Sequence, residues 1–196
     1  MKIHKISEKD KDIFLYLVKR NLINSVIFGL SDNFIKKHFF KEIINSKKYI
    51  SLICKFKKKP AGMIIIKKKN SYFSFSLKLL TVINSLICFF FKDINILIKF
   101  YYILFKRVNI KKNYYKIYNN SAEIIYVCVD KKFRKKGIGS KLINYSTKKI
   151  NKNHIFLITS SENSKEAIRF YKKNNFRKIG TEKRFKKNNI LLIKKL

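Results

Sequence analysis

The order of hydrophobic patterns in this chain predicts an α/β fold, and two observations carry that prediction. The second half alternates short apolar runs with amphipathic helical stretches: IIYVCV is followed by SKLINYSTKKI, and HIFLIT by NSKEAIRFYKK. The first half sets two helical patterns ahead of a pair of strand patterns. Alternation of the two periods is the signature of helices packed on a sheet. At 196 residues the chain suits one domain, 1–196, with a core of useful size.

Taken in order, Lys2 to Ile6 alternates and opens a sheet. Ser7 is a plausible N-cap, and Asp10 three residues on makes a near capping box. Asp10 to Arg20 follows as a helix, with apolar spacing at Ile13, Leu15, Leu17 and Val18. A second helix runs from about Asp32 to about Ile44. Tyr49 to Lys55 and Ala61 to Ile66 read as strands joined by a turn around Lys58–Pro60. After a long intervening segment come a strand at Ile124 to Val129, a helix at Ser140 to Ile150, a strand at His154 to Thr159 and a helix at Asn163 to Lys173. A strand starting at Phe176 and a last one near Ile190 to Ile193 complete the chain.

The stretch from Glu123 to Ser140, EIIYVCVDKKFRKKGIGS, carries the chemistry. An apolar run reads as a buried strand ending at Asp130. A basic loop with Arg134, Gly137 and Gly139 leads from it into a helix. The chain has only five glycines, and two of them sit here. Glycine lets backbone approach a ligand closely, and the free amides and dipole of a helix start attract anions. The expected ligand carries phosphates. There is no GxxxxGK[ST] loop, and no third glycine for a dinucleotide fingerprint.

Arg134-x-x-Gly137-x-Gly139 after such a strand resembles the acetyl-coenzyme A loop of the GCN5-related N-acetyltransferases (GNAT). Their pattern is Gln or Arg, two residues, Gly, one residue, Gly or Ala. The next segment is similar to the family's following motif, in which an Asn-x-x-Ala helix start leads to a Phe-Tyr pair and then a Phe strand. Ala167, Phe170, Tyr171 and Phe176 keep that spacing, whereas Ser164 stands where the family has Asn and Asn163 lies one residue earlier. The resemblance covers roughly Ala122 to Gly180. It implies a mixed central sheet with helices on both faces, and acetyl transfer from acetyl-coenzyme A to a primary amine by direct transfer, with no metal.

By that resemblance, the backbone of Val127, Cys128 and Val129 pairs with the pantetheine arm. The amides from Arg134 to Ser140, through Lys135, Lys136, Gly137, Ile138 and Gly139, bind the pyrophosphate, with Arg134, Lys135 and Lys136 adding charge. Asn163 or Ser164 makes a further polar contact. Glu123 resembles the strand carboxylate that serves as base in some members, the plain alternative being a strand-end carboxylate paired with a lysine. Tyr171 matches the tyrosine that protonates the leaving sulfur, the plain alternative being an aromatic core residue beside Phe170. Asp130 fits a turn or N-cap role. The acceptor implied is a small amine or amino sugar, with a protein N-terminus or lysine as runner-up. A catalytically silent coenzyme A-binding module is the other reading of the same motifs.

A formal charge of +36 points towards nucleic acid or an anionic membrane. However, Arg occurs only at Arg20, Arg107, Arg134, Arg169, Arg177 and Arg184, and lysines are spread throughout. A phosphate-reading face would be clustered and richer in Arg, whose fork fits phosphate. Coding bias of an AT-rich genome accounts for abundant Lys, Asn, Ile, Phe and Tyr better than a selected polyanion role, so nucleic acid is not an expected partner. Cys54, Cys88 and Cys128 have neither metal nor disulfide spacing. His4, His38 and His154 are isolated and receive no role. The start, MKIHKISEKDKDIF, is too charged for a secretory core segment, and a cytoplasmic protein is expected.

Residues 71–118 form an apparent insertion between the third and fourth strands. Its apolar runs, Leu77 to Phe91 and Ile94 to Phe105, are broken by Lys92 and Asp93. Neither reaches the roughly 18 to 20 apolar residues needed to span a bilayer, so a helical hairpin is expected. Core packing, a lid over the acceptor site, a homodimer contact and a peripheral membrane contact at the inner membrane all stay open as its role.

Overall fold

The computed structural model describes residues 1–22, 26–68, 120–150, 153–159, 165–184 and 187–196. The expected hairpin at 71–118, together with Cys88, Asn163 and Ser164, lies outside these residues. The described chain is a seven-stranded sheet in the order β1-β2-β3-β4-β5-β7-β6. The strands are β1 (Lys2–Lys5), β2 (Tyr49–Phe56), β3 (Lys59–Lys67), β4 (Ala122–Val129), β5 (His154–Thr159), β6 (Arg177–Arg184) and β7 (Lys187–Lys195). Only β4 and β5 pair in parallel; the other neighbours are antiparallel. The sheet is mixed and carries helices on both faces, as the resemblance implies.

The two faces have separate cores. On one lie α1 (Lys11–Asn21), α2 (Asp32–Phe34) and α3 (Phe40–Asn45). Their Phe14, Leu17, Val18, Phe34, Phe40 and Ile43 pack on Tyr49, Ile53, Met63, Ile65 and Cys128. On the other lie α4 (Ile138–Thr147) and α5 (Lys165–Lys173). Ile138, Leu142, Ile143 and Tyr171 pack there on Leu52, Cys54, Ile64, Ile66 and Ile124. Alternate residues of β2 and β3 therefore feed opposite cores. This explains the unbroken apolar runs at these strands, since a strand covered on both faces has no polar side to show.

The helical stripes differ in detail from those read off the sequence. In α1 the buried residues are Phe14, Leu17 and Val18, an i, i+3, i+4 set, while Ile13 and Leu15 are half-buried. The second helix is interrupted: α2 is capped by Ser31, whose Oγ accepts from the Phe34 N–H at 3.2 Å. It then passes through a π turn at Ile35–Phe39 before α3. The capping box at Ser7 forms, with the Ser7 N–H and hydroxyl both donating to Asp10 Oδ2 at 3.1 and 3.0 Å. Asp10 also pairs with His4 Nε2 at 3.0 Å and Lys55 Nζ at 3.2 Å, so His4 has a structural partner the sequence did not reveal. The β2–β3 turn falls at Lys57 and Lys58, both at positive φ, rather than at Lys58–Pro60; Pro60 already belongs to β3.

Candidate functional site

β4 organises the site. On one side it pairs with β3 from Lys67↔Glu123 to Gly62↔Val129. On the other it meets β5 only at Ala122↔Ile155 and Glu123↔Phe156. Beyond Glu123 the two parallel strands part, and the β5-facing backbone of β4 has no strand partner among the described residues. Such an edge offers hydrogen-bonding groups to an extended ligand. A register shift helps to set the fork. Ile65 faces Tyr126 and Ile66 faces Ile124, so Ile125 is an extra residue in β4. An inserted residue of this kind bends its strand and increases the local twist.

Val127, Cys128 and Val129 lie on the parted length of β4. Their side chains point to alternate cores: Val127 and Val129 pack with the α4–α5 cluster and Cys128 with the α1–α3 cluster. Burial pushes the Cys128 thiol up to about 12. A thiol held in its protonated form is a poor nucleophile, which agrees with a backbone rather than side-chain contribution from this residue.

The loop after β4 begins with a turn at Lys131–Phe133 and enters α4 through Gly137. Lys135 and Gly137 have φ of 62° and 72°. The helical ladder starts where the Lys141 N–H donates to the Gly137 carbonyl at 3.0 Å. The amides of Ile138, Gly139 and Ser140 therefore precede it and have no carbonyl one turn earlier to bond. A Cβ built on Gly137 would meet nothing within 4 Å, so there is open space above this turn. One on Gly139 would lie 2.9 Å from the Phe170 ring. The first glycine thus opens room for a ligand, and the second lets α4 pack against α5. Donors around a positively charged turn with open space above it suit a diphosphate.

Lys131, Lys132, Arg134, Lys135 and Lys136 are exposed around the loop. Arg134 folds back, its Nε donating to the Val129 carbonyl at 3.3 Å. Lys136 Nζ sits 5.2 Å from the Phe56 ring centre and 5.9 Å from that of Phe133. These rings bring the β2–β3 turn beside the loop. Ser140 is half-buried at the helix start.

Glu123 stands at the fork itself, at the last β4–β5 pair. Its Oε2 accepts from Lys67 Nζ at 2.8 Å, and both side chains are mostly buried. The lysine partner of the plain reading is therefore present, at a less exposed place than a strand end suggests. Tyr171 is 7 % exposed and stacks edge-on with Phe170 and Phe176, with ring centres 5.1 and 5.5 Å away. Burial pushes its phenol well above the usual range, so it keeps its proton at neutral pH and can donate. Tyr171 belongs to the same buried cluster as Val127 and Val129 of β4.

Residues 101–178 match the family model described as the acetyltransferase (GNAT) domain. That stretch of the chain is thus similar to the GNAT acetyltransferases. No curated protein matches it. Among solved structures, the GNAT fold recurs in the ribosomal-protein-alanine N-acetyltransferase of Brucella melitensis, with TM-score 0.63, 13% identity and full coverage of both chains. It recurs in an aminoglycoside 6'-N-acetyltransferase complexed with coenzyme A, with TM-score 0.62, 15% identity, and coverage of 100% of this chain and 97% of that one. The ribosomal-protein-S18-alanine N-acetyltransferase of Escherichia coli gives TM-score 0.60 and 11% identity over 99% and 92% of the two chains.

Within this sheet, two features escaped the sequence reading: the Ile125 bulge and the partners of Asp130. Asp130 does cap the turn, its Oδ1 accepting from the Lys132 N–H at 3.0 Å. Its other oxygen accepts from the Tyr16 hydroxyl at 2.9 Å and pairs with Arg20 Nε at 3.2 Å. Among the described residues no group of three or more His, Cys, Asp or Glu side chains could hold a metal ion, and no helix is long and apolar enough to cross a membrane.

Proposed function

We propose that this GNAT domain, spanning 1–196 with 71–118 inserted, moves an acetyl group from acetyl-coenzyme A to a primary amine of a small molecule or amino sugar in the cytoplasm. The observation that carries the reading is the fork in the sheet. A parted β4 runs from a carboxylate at the apex, Glu123, to a glycine-opened cradle of amides at Gly137. Acetyl-coenzyme A supplies the activated thioester. The cradle from Arg134 to Ser140 holds its diphosphate, with Lys135 and Lys136 adding charge. The β4 backbone at Val127 to Val129 holds the extended arm, and Asn163 or Ser164 adds a polar contact from the start of the following helix.

Glu123 serves as the base that takes the proton of the acceptor ammonium, directly or through water. Lys67 holds its carboxylate in place at 2.8 Å. Tyr171, kept protonated by burial, donates to the leaving sulfur. The amine attacks the thioester within a ternary complex, the C–N bond forms, the C–S bond breaks, coenzyme A leaves as the thiol, and the second proton lost by the nitrogen restores the Tyr171 phenol.

A panel of small amines, amino sugars and peptides with free N-termini or lysines, followed by thiol release from acetyl-coenzyme A, tests this reading. Release with a small amine is the expected result. Release with peptides alone moves the acceptor to a protein N-terminus or lysine. Stabilisation by coenzyme A with no release on any amine leaves a binding module. Gly137→Glu is the control: it places a carboxylate in the open space of the cradle, at a left-handed position unfavourable to a side chain, and abolishes coenzyme A binding, with a melting curve to check that the fold remains.

A further inference from the structure

Asp130 is 0 % exposed, at the point where β4 ends and the anion loop begins. Most of its bonds are those of a turn residue. Its N–H donates to the Ala61 carbonyl at 2.9 Å, its carbonyl accepts from the Phe133 N–H at 2.8 Å, and Oδ1 accepts from the Lys132 N–H. A cap needs only one side-chain oxygen. The second oxygen, Oδ2, reaches across the fold to α1, where Tyr16 and Arg20 lie four residues apart on one helical face. The Arg20 guanidinium also lies 5.6 Å from the centre of the Tyr16 ring. Tyr16 and Arg20 are 40 % and 44 % exposed, so the cluster is reachable at its outer edge and sealed at the carboxylate.

We infer that Asp130 is a positioning residue that ties α1 to the anion loop through Tyr16 and Arg20, holding the loop amides in their ligand-binding arrangement before the diphosphate arrives. The inference rests on the reading of the loop as the coenzyme A cradle. A buried carboxylate without partners is strongly unfavourable, and one with them makes a rigid joint. Here burial raises the Asp130 pKa. The Lys132 amide, the Tyr16 hydroxyl and the charges of Arg20 and Lys132 outweigh it, so the group stays ionised at neutral pH. The hydrogen bond to Asp130 in turn raises the Tyr16 phenol, which remains a donor. The loop also contains Lys135 in a left-handed conformation, unfavourable for a side-chain-bearing residue and in need of support from its surroundings. Pre-ordering a binding loop lowers the entropy lost when ligand binds. Loss of the tie therefore appears mainly in affinity for the nucleotide, and α1 gains a route by which anything bound against it alters that affinity reciprocally.

The test uses coenzyme A titration, steady-state kinetics and melting curves on the full chain. Tyr16→Phe and Arg20→Gln remove the tie from the exposed side with little risk to folding. Each is expected to raise the coenzyme A Kd and the acetyl-coenzyme A KM about threefold to tenfold, the net size of one ordinary hydrogen bond, with a smaller fall in kcat. Arg20→Lys, which keeps the charge, recovers part of the lost affinity. Asp130→Ser keeps a capping oxygen but cannot reach α1; it shows the same KM rise, and Tyr16→Phe adds nothing to it. Variants that melt lower but keep wild-type KM would make Asp130 a structural brace only and overturn the inference. Wild-type chain that fails to bind coenzyme A would refute the cradle itself. Wild-type binding with unchanged affinity in every variant refutes the tie alone.

Discussion

Glu123 and Tyr171 have different surroundings for their different proposed tasks. Glu123 is polar-paired at the fork, against Lys67; Tyr171 is enclosed by Phe170, Phe176 and aliphatic side chains. Glu123→Gln keeps the shape and a hydrogen bond to Lys67 but cannot take a proton. It is expected to lower kcat about a hundredfold or more, the scale of general-base contributions, with coenzyme A affinity nearly unchanged; equal turnover would remove it as base. Tyr171→Phe keeps the ring in its cluster and should slow transfer at least about tenfold. A full-speed variant would show that the ring only packs. A second residue-scale expectation concerns acid. Asp10 and Asp130 both have depressed pKa values. Burial raises each, and hydrogen bonds and cations more than reverse it: His4, Ser7 and Lys55 at Asp10, and Lys132, Tyr16 and Arg20 at Asp130. A carboxyl that binds its proton more weakly when folded stabilises the fold above its unfolded value, about 4. That stabilisation is lost as pH falls through the lower folded value. Asp10→Asn and Asp130→Asn should therefore melt below wild type at neutral pH and converge with it in strong acid. Melting curves that fall in parallel at all pH values would show that these carboxylates do not set the acid limb.

At the scale of elements, what the sequence revealed was whatever is local. β5 was legible to the residue from its apolar run, and α4 was legible from glycine spacing and helix periodicity, although it runs from Ile138 to Thr147 rather than from Ser140 to Ile150, so Gly139 lies in the helix and not in the loop. The bulge was not. IIYVCV is apolar at every position, so one extra residue changes no pattern that a period-two reading can detect. The pairing of Asp130 with Tyr16 spans 114 residues and leaves no trace in either neighbourhood. The two-faced burial of β2 and β3 likewise depends on helices far away in sequence. The contact between α4 and α5 gives a test at this scale. Gly139 is required by the Phe170 ring, which a Cβ would meet at 2.9 Å. Gly139→Ala should destabilise the chain by about 1 to 3 kcal/mol through overpacking. Phe170→Leu, which shortens the opposing side chain, should recover part of that loss in the double variant. Additive effects of the two changes would mean that the approach of Phe170 is not what requires Gly139, and a Gly139→Ala variant more stable than wild type would show only the better helix propensity of alanine.

For the whole molecule, the charge of +36 is the property that most invites over-reading. Its distribution decides its effect. Lysines lie on β1, α1, β3, β7 and the loops alike, so the field they create is broad and cannot by itself select one ligand. At about 0.1 M salt, charges more than about 10 Å apart in solvent are largely screened. The cations that matter for a diphosphate in the cradle are then those standing around it: Lys131, Lys132, Arg134, Lys135 and Lys136. Raising salt should raise the KM for acetyl-coenzyme A while leaving kcat nearly flat, because screening weakens approach and holding of phosphates but not proton transfer inside the fork. Two sets of substitutions separate local from global charge. Replacing Lys131, Lys132, Lys135 and Lys136 by Gln should flatten the salt dependence of KM. Replacing Lys2, Lys5, Lys9 and Lys11 by Gln removes the same net charge from the β1–α1 region and should leave the slope close to wild type. If both sets flatten it equally, the overall field attracts the nucleotide and the cradle's own lysines have no special part. If neither does, the amides of Lys135 to Ser140 and the helix start carry the phosphates almost unaided. In that case the lysine-rich surface is incidental to binding, as the even spread of the residue along the chain suggests.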